Sequence, residues 1–156
     1  MLKQQILEKI QLNPCTYSRL WISQINKFSN NPVRLAKLLQ SIEQYLESLI
    51  KRQELIRVTT VHYPAELPVS REVEQIKTVI QNNQITLICG ETGSGKTTQL
   101  PKILLELGYA ATGTIGHTQP RRIAARSLAT RIAQELGQTP QSEFNLVGYK
   151  MRFHDR

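Results

Sequence analysis

Eight consecutive residues, Gly90-Glu91-Thr92-Gly93-Ser94-Gly95-Lys96-Thr97, carry the pattern GxxxxGK[ST] at every fixed position. The residue types suit one chemistry. Gly90, Gly93 and Gly95 let the backbone turn sharply and approach a phosphate with no Cβ in the way. The amide groups of such a loop, and of the helix that follows it, then point at an anion. Lys96 supplies a point charge for β- and γ-phosphates, and the Thr97 hydroxyl can ligate Mg²⁺. Thr98 completes the candidate nucleotide-binding set, and the loop alone implies a nucleoside triphosphate with Mg²⁺. A cation at a helix N-terminus opposes the helix dipole by roughly 0.3–1 kcal/mol, a cost that a bound polyphosphate removes.

A second basic helix start lies downstream, at Gln119-Pro120-Arg121-Arg122. Two arginines in a first turn again have the wrong sign for the dipole. From charge alone two readings stay open: an exposed basic turn with solvated arginines, or a turn that meets a second anion such as a nucleic-acid backbone phosphate. Arg126 and Arg131 lie further along the same helix, where solvation is the default. His117 is expected to pack at a strand end, and three isolated histidines give no metal-ligand spacing. Cys89, just before the glycine-rich loop, reads as a small buried core residue.

The elements that must position these groups follow from periodicity. Ile85–Cys89 is short, β-branched and almost wholly apolar, which predicts a parallel strand buried on both faces. A helix is expected from Lys96 through Leu107, a strand over Thr112–Thr118, and a helix after Arg122 with Ile123, Leu128, Ile132 and Leu136 inward. Val147–Phe153 alternates and predicts a half-buried strand. Upstream, Ser70 to Asn82 predicts a helix with Ser70 as its cap. Residues 58–69, with Pro64 and Pro68, are expected to be an extended linker. Residues 1–57 read as helices. Leu2, Ile6, Leu7 and Ile10 form one stripe, and Tyr17, Leu20, Trp21, Ile25 and Phe28 a second. The third is the most regular, from Leu35 to Ile56, opened by Asn31 as cap and Pro32.

Composition excludes several classes. The chain has 156 residues, 20 Lys+Arg against 12 Asp+Glu, and 40% hydrophobic residues. That suits one packed domain, or one with an appendage, rather than a disordered chain. Residues 1–70 hold 9 basic and 5 acidic groups and residues 71–156 hold 11 and 7, so the positive excess is evenly spread. It suggests an anionic partner without saying which. Cys15 and Cys89 form no CxxC pair and no disulfide framework, which fits a reducing cytosol. No apolar run approaches the ~20 residues a membrane span needs, and residues 1–12 do not form a signal peptide.

Three blocks in this order resemble the DEAH/RHA family of ATP-dependent RNA helicases: Gly90–Leu100 (GETGSGKTTQL), Thr118–Ala125 (TQPRRIAA) and Val147–Phe153 (VGYKMRF). The bacterial form of that family is the one matched by His117–Arg122 together with Tyr63–Ser70 upstream. The resemblance covers about residues 60–156. It implies an α/β fold, a RecA-like P-loop domain with a truncated parallel sheet flanked by helices, preceded by the helical region. The division would be 1–57 helical, 58–69 linker, and 70–156 a first RecA-like domain cut before the DEAH motif. Gly90–Thr97 would be motif I, and Thr118–Arg122 motif Ia, with Arg121 or Arg122 on an RNA phosphate. Arg131 corresponds to the arginine that stacks on adenine in the family. ATP turnover would then close two RecA-like domains and walk the protein along single-stranded RNA.

This chain departs from the family pattern too. The carboxylates after Thr98 are Glu106, Glu135, Glu143 and Asp155, and none forms Asp-Glu-Ala-His. No catalytic residue is therefore assigned, and a doubly wound sheet needs more strands than residues 84–153 can supply. The expectation is an N-terminal helicase fragment in the cytoplasm, partnered by RNA and by the rest of the helicase, that binds Mg·ATP without hydrolysing it or unwinding RNA. The alternative is a non-catalytic nucleic-acid-binding or docking module whose function lies in the N-terminal helices. A small-molecule kinase or a GTPase is disfavoured, since no acceptor region and no NKxD-type motif is visible.

Overall fold

Apolar residues at helical spacing produce the three helices expected before residue 58: α1 (Leu2–Leu12), α2 (Ser18–Lys27) and α3 (Pro32–Val58). The structure, a computed structural model, describes residues 2–138, 145–151 and 154–155. Asn31 caps α3 as its type predicts, its Oδ1 accepting the Arg34 N–H at 3.0 Å, and Pro32 fills the first helical position. Ile6 and Ile10 of α1, Ile25 of α2, and Leu39, Ile42, Leu46 and Leu49 of α3 bury into one core. Tyr17, Trp21 and Tyr45 pack ring on ring beside it, at centroid distances of 5.1–5.9 Å.

The chain divides into two compact units. One gathers the residues up to Arg57 with Ala111–Gly113, which are tied in by Thr16 N–H to Thr112 O at 3.1 Å and by Gln53 Nε2 to Ala111 O at 2.9 Å. The other comprises Val58–Ala110 and the chain from Thr114 on. The helices that begin in this second unit are α4 (Pro68–Arg71), α5 (Val73–Asn82), α6 (Lys96–Glu106), α7 (Tyr109–Thr112) and α8 (Arg122–Glu135). Its core joins Val69, Val73, Ile76 and Ile103, with Tyr63, Ile80, Ile88 and Leu100 packed against it. Residues 58–69 thus supply two core side chains, and Pro68 opens a helix instead of forbidding one. Ser70 does not cap. It lies inside α4 with a buried hydroxyl that finds no partner among the described residues.

The expected α/β fold with a parallel sheet is wrong for this chain. Among the described residues the one sheet has two strands, β1 (Lys150–Met151) and β2 (His154–Asp155), paired antiparallel. Neither Ile85–Cys89 nor Thr114–Thr118 is a strand. Ile85 is 83% exposed and Leu87 90%, the reverse of a strand buried on both faces, and Cys89 is exposed rather than buried. The physical reason is that a strand has no local hydrogen bonds. An apolar run becomes a parallel strand only when other strands complete its ladder and helices cover both faces. A helix closes its own ladder, so helices formed where they were predicted, although the one expected over Ser70–Asn82 is split into α4 and α5, and Ile123 of α8, expected inward, is 84% exposed. Thr112 itself ends α7. Of the strand expected over Val147–Phe153, Lys150–Met151 is paired, while Arg152 and Phe153 lie outside the described residues. No helix among the described residues is long and apolar enough to cross a membrane.

Candidate functional site

The glycine-rich loop is built around two left-handed glycines and one lysine. Gly93 has φ 86° and Gly95 φ 92°, a region L-residues with a Cβ enter only under strain. Gly95 is the N-terminal cap residue of α6 and no side chain caps that helix. A Cβ at Gly95 would lie 2.9 Å from Leu67 Cδ1, so backbone and side chain meet there only because the residue is glycine. The Val69 N–H, at the start of α4, donates to Ser94 O at 3.1 Å and pins the loop from outside.

Lys96, the first residue of α6, turns its ammonium back into the loop. Nζ donates to Gly90 O at 2.7 Å, Glu91 O at 2.8 Å and Ser94 Oγ at 2.9 Å. These oxygens replace water around a cation that sits at the unfavourable end of the helix dipole. A cleft of about 380 Å³ opens beside this clasp, lined among others by Val69, Ile76, Thr86, Gly90, Ser94 and Lys96. Thr86 Oγ1 is buried with no hydrogen-bond partner among the described residues. Helix amides with no side-chain cap, a lysine held by loop oxygens and an orphaned hydroxyl together fit an anion with several acceptor oxygens. Glu91, Thr92 and Gly93 are exposed, as is Thr97 in the first turn of α6. The Thr98 hydroxyl bonds Gly95 O at 3.2 Å.

The candidate RNA-contacting turn is a separate feature. Arg121 is the extended N-terminal cap residue of α8, which begins at Arg122, and Pro120 stands just before the helix instead of in its first turn. Pro120, Arg121 and Arg122 are exposed, and neither arginine has an ion pair among the described residues. Gln119 Nε2 lies 2.9 Å from His117 Nε2. His117 is exposed rather than packed at a strand end, and partial desolvation of its ring holds its pKa below the usual imidazole value. No hydrogen bond or ion pair joins Gln119–Arg122 to the Gly90–Thr97 loop among the described residues.

Arg131 is connected to the loop, through residues that sequence reasoning missed. Lys102 of α6, whose side chain is 0% exposed, donates to His62 O at 2.7 Å and forms an ion pair with Glu135 Oε2 at 2.5 Å. Gln99 Nε2 donates to the same oxygen at 3.1 Å and to Thr98 Oγ1 at 2.9 Å. Arg131 Nε donates to Glu135 Oε1 at 2.7 Å. A run of polar contacts therefore passes from Thr98 through Gln99 and Glu135 to Arg131. The one signal in the sequence was spacing: Gln99, Lys102 and Ile103 share a helix face, so a lysine stood where an apolar residue was due. Burial alone would raise the pKa of Glu135; the hydrogen bonds from Lys102, Arg131 and Gln99 outweigh it and the net shift is downward. Glu106 follows the same pattern, desolvation being overcome by Lys77 and Tyr63, each at 2.8 Å. Burial, then the bond to Glu106, pushes the Tyr63 phenol above its ordinary range.

Among the described residues, no group of three His, Cys, Asp or Glu could hold a metal ion. Of the carboxylates weighed above, Glu143 lies outside the described residues.

No family model matches the chain. It is 50% identical over 122 residues to a Haemophilus influenzae protein named ATP-dependent RNA helicase HrpA homolog, an alignment that covers 78% of this chain and 9% of that protein. It is 54% identical over 95 residues to the Escherichia coli ATP-dependent RNA helicase HrpA, covering 61% of this chain and 7% of that one. A Saccharomyces cerevisiae protein named probable ATP-dependent RNA helicase DHR1 is 48% identical over 94 residues, 56% of this chain and 7% of its own length. The chain spans less than a tenth of the length of the curated relatives it matches.

The depressed pKa of Glu135 fixes the sign of a pH effect. Its contribution to stability is fully present above the unfolded carboxylate pKa of about 4.3 and is lost as pH falls through the lower folded value. Near neutral pH, Glu135→Ala is expected to cost about 3–5 kcal/mol, since it strands the buried Lys102 charge. Urea unfolding of both chains from pH 7 to pH 3 checks this: the gap between them narrows only below about pH 4.5, and a gap that stayed constant with pH would refute the ionic origin.

Proposed function

Because this chain is a homologue of HrpA-type ATP-dependent RNA helicases, we propose that it is the nucleotide-gripping part of such an enzyme, holding Mg·ATP on the Gly90–Thr97 loop. The observation that carries this is the Lys96 clasp. An ammonium bonded to two loop carbonyls and a hydroxyl at the uncapped start of α6 is a cation already positioned for phosphate oxygens. Oxygens of a bound triphosphate would take the place of those loop oxygens around Nζ. When bound, Mg·ATP supplies the phosphoanhydride whose cleavage drives a helicase. Lys96 would neutralise phosphate charge, the Gly93–Thr97 amides would orient the phosphates, and the Thr97 hydroxyl, exposed at the helix start, would hold the metal. By its position in the helix after Gln119–Arg122, Arg131 would face the base, as the family resemblance implies.

Single-stranded RNA is the proposed second ligand, its backbone resting on Gln119, Pro120, Arg121 and Arg122. Exposed arginines with no ion pair among the described residues, at the N-terminal end of α8, support this, since a phosphate there gains both charges and the helix dipole. The chain alone is proposed neither to hydrolyse ATP nor to unwind RNA. Its sequence lacks the Asp-Glu-Ala-His motif, and Glu106 and Glu135 are each engaged by cations within the fold. The rest of a longer helicase chain is the partner that completes catalysis, in the cytoplasm.

Calorimetric titration with Mg·ATP tests the first half. Binding to the native chain and its loss in Lys96→Ala, shown by far-ultraviolet circular dichroism to keep its helices, are expected; equal binding by both would refute the loop assignment. Turnover by the chain alone that vanished in Lys96→Ala would refute the proposed inactivity. For RNA, Arg121→Ala is expected to weaken binding of a poly(U) decamer uniformly and to reduce the slope of log affinity against log salt by about 0.7–1. An unchanged slope, with binding lost only on removing residues 1–57, would move the RNA site to the N-terminal helices.

A further inference from the structure

We propose that Glu135 is a positioning residue for Arg131, holding its guanidinium plane in place for the base end of the nucleotide. This rests on the reading that Arg131 lies at that end of the bound nucleotide. The carboxylate does not need Arg131 for its own stability. Its Oε2 already receives the buried Lys102 ammonium and the Gln99 amide, so its charge is balanced within the fold. Its Oε1 remains, and Arg131 Nε occupies it at 2.7 Å. The two side chains differ sharply in exposure, 14% for Glu135 and 63% for Arg131. An ordinary exposed pair four residues apart on a helix is loose, because both partners move and water competes. Here the acceptor is anchored from behind by Lys102, which is itself fixed to His62 O. Only the outer partner is free to move, and it is held at Nε.

That attachment leaves the guanidinium with a use. Its contact with Glu135 is made through Nε and its side chain is 63% exposed, which leaves a planar cation at the surface for a flat heteroaromatic ring. The same carboxylate is bonded to Gln99, whose amide donates to Thr98 Oγ1. A Cβ at Gly95 would lie 3.4 Å from Gln99 Cγ, so Gln99 packs directly against the loop. The carboxylate that holds Arg131 therefore also contacts the first turns of α6, behind the phosphate loop. A ligand with a triphosphate and a base draws on both; a ligand with phosphates alone draws on the loop only.

The test compares Mg·ATP with Mg·tripolyphosphate, titrated into the native chain, Glu135→Gln, Arg131→Lys and Arg131→Ala, and into the Arg131→Ala/Glu135→Gln double variant. Arg131→Lys keeps the charge, removes the plane and leaves the buried pair untouched, so it reads the base contact without risk to folding. Each single variant is expected to lose roughly two- to fivefold in ATP affinity and to hold tripolyphosphate within about 1.5-fold. Glu135→Gln is expected to add nothing to Arg131→Ala. Equal weakening of both ligands by Glu135→Gln, an unchanged ATP preference, or additive losses in the double variant would each overturn the positioning role. If Arg131→Lys leaves the ATP preference intact while Lys96→Ala still abolishes binding, the inference fails and the phosphate-loop reading stands. If the native chain binds neither ligand, both fail.

Discussion

A lysine ammonium at the positive end of a helix dipole is the interaction on which this chain's site depends. Lys96 stands at the first position of α6 and its ammonium is hydrogen-bonded by oxygens that the loop before it turns inward. That requirement dictates the loop. Its carbonyls at Gly90 and Glu91 can converge on Nζ because Gly93 and Gly95 take left-handed backbone angles, and Gly95 can do so against Leu67 because it has no Cβ. The arrangement is self-consistent without a ligand, yet each bond to Nζ is one that a phosphate oxygen can replace.

A second ionic arrangement makes the loop part of a rigid whole. Helices α6 and α8 meet across the Lys102–Glu135 pair, which is buried on the lysine side and reinforced by Gln99. Such pairs add little net stability over apolar packing, but breaking one leaves a charge stranded in low dielectric, so they impose a register. The register here ties the start of α6 to Arg131 on α8. Around it the apolar core is modest, four buried side chains with a ring of half-buried ones. Polar contacts from Tyr63 and Lys77 to Glu106 add to it on another side.

What the sequence revealed follows the range of the forces involved. The helices were legible because their hydrogen bonds and stripes are local: the Leu35-to-Ile56 pattern, the Asn31 cap and the start of α6 at Lys96 all stand as expected. The strands were not. Ile85–Cys89 has a strand's composition, but composition cannot supply the neighbouring strands that a parallel ladder needs, and the segment forms no strand and leaves Ile85, Leu87 and Cys89 exposed. Cys89 went with it. Ser70 was misread because Pro68 begins a short helix one turn earlier. In the site, the glycines and lysine were visible as a pattern, whereas the Lys102–Glu135 pair joins residues 33 apart in sequence and announces itself only as a lysine on an inward face.

Backbone hydrogen exchange across the loop bears most directly on the claim that Lys96 and the amides around it form a phosphate seat. Adding Mg·tripolyphosphate to the intact chain is predicted to slow exchange at the amides of Gly93–Thr98, with no comparable change along α1–α3. Unchanged exchange across that loop at saturating ligand, or protection confined to the N-terminal helices, would contradict it.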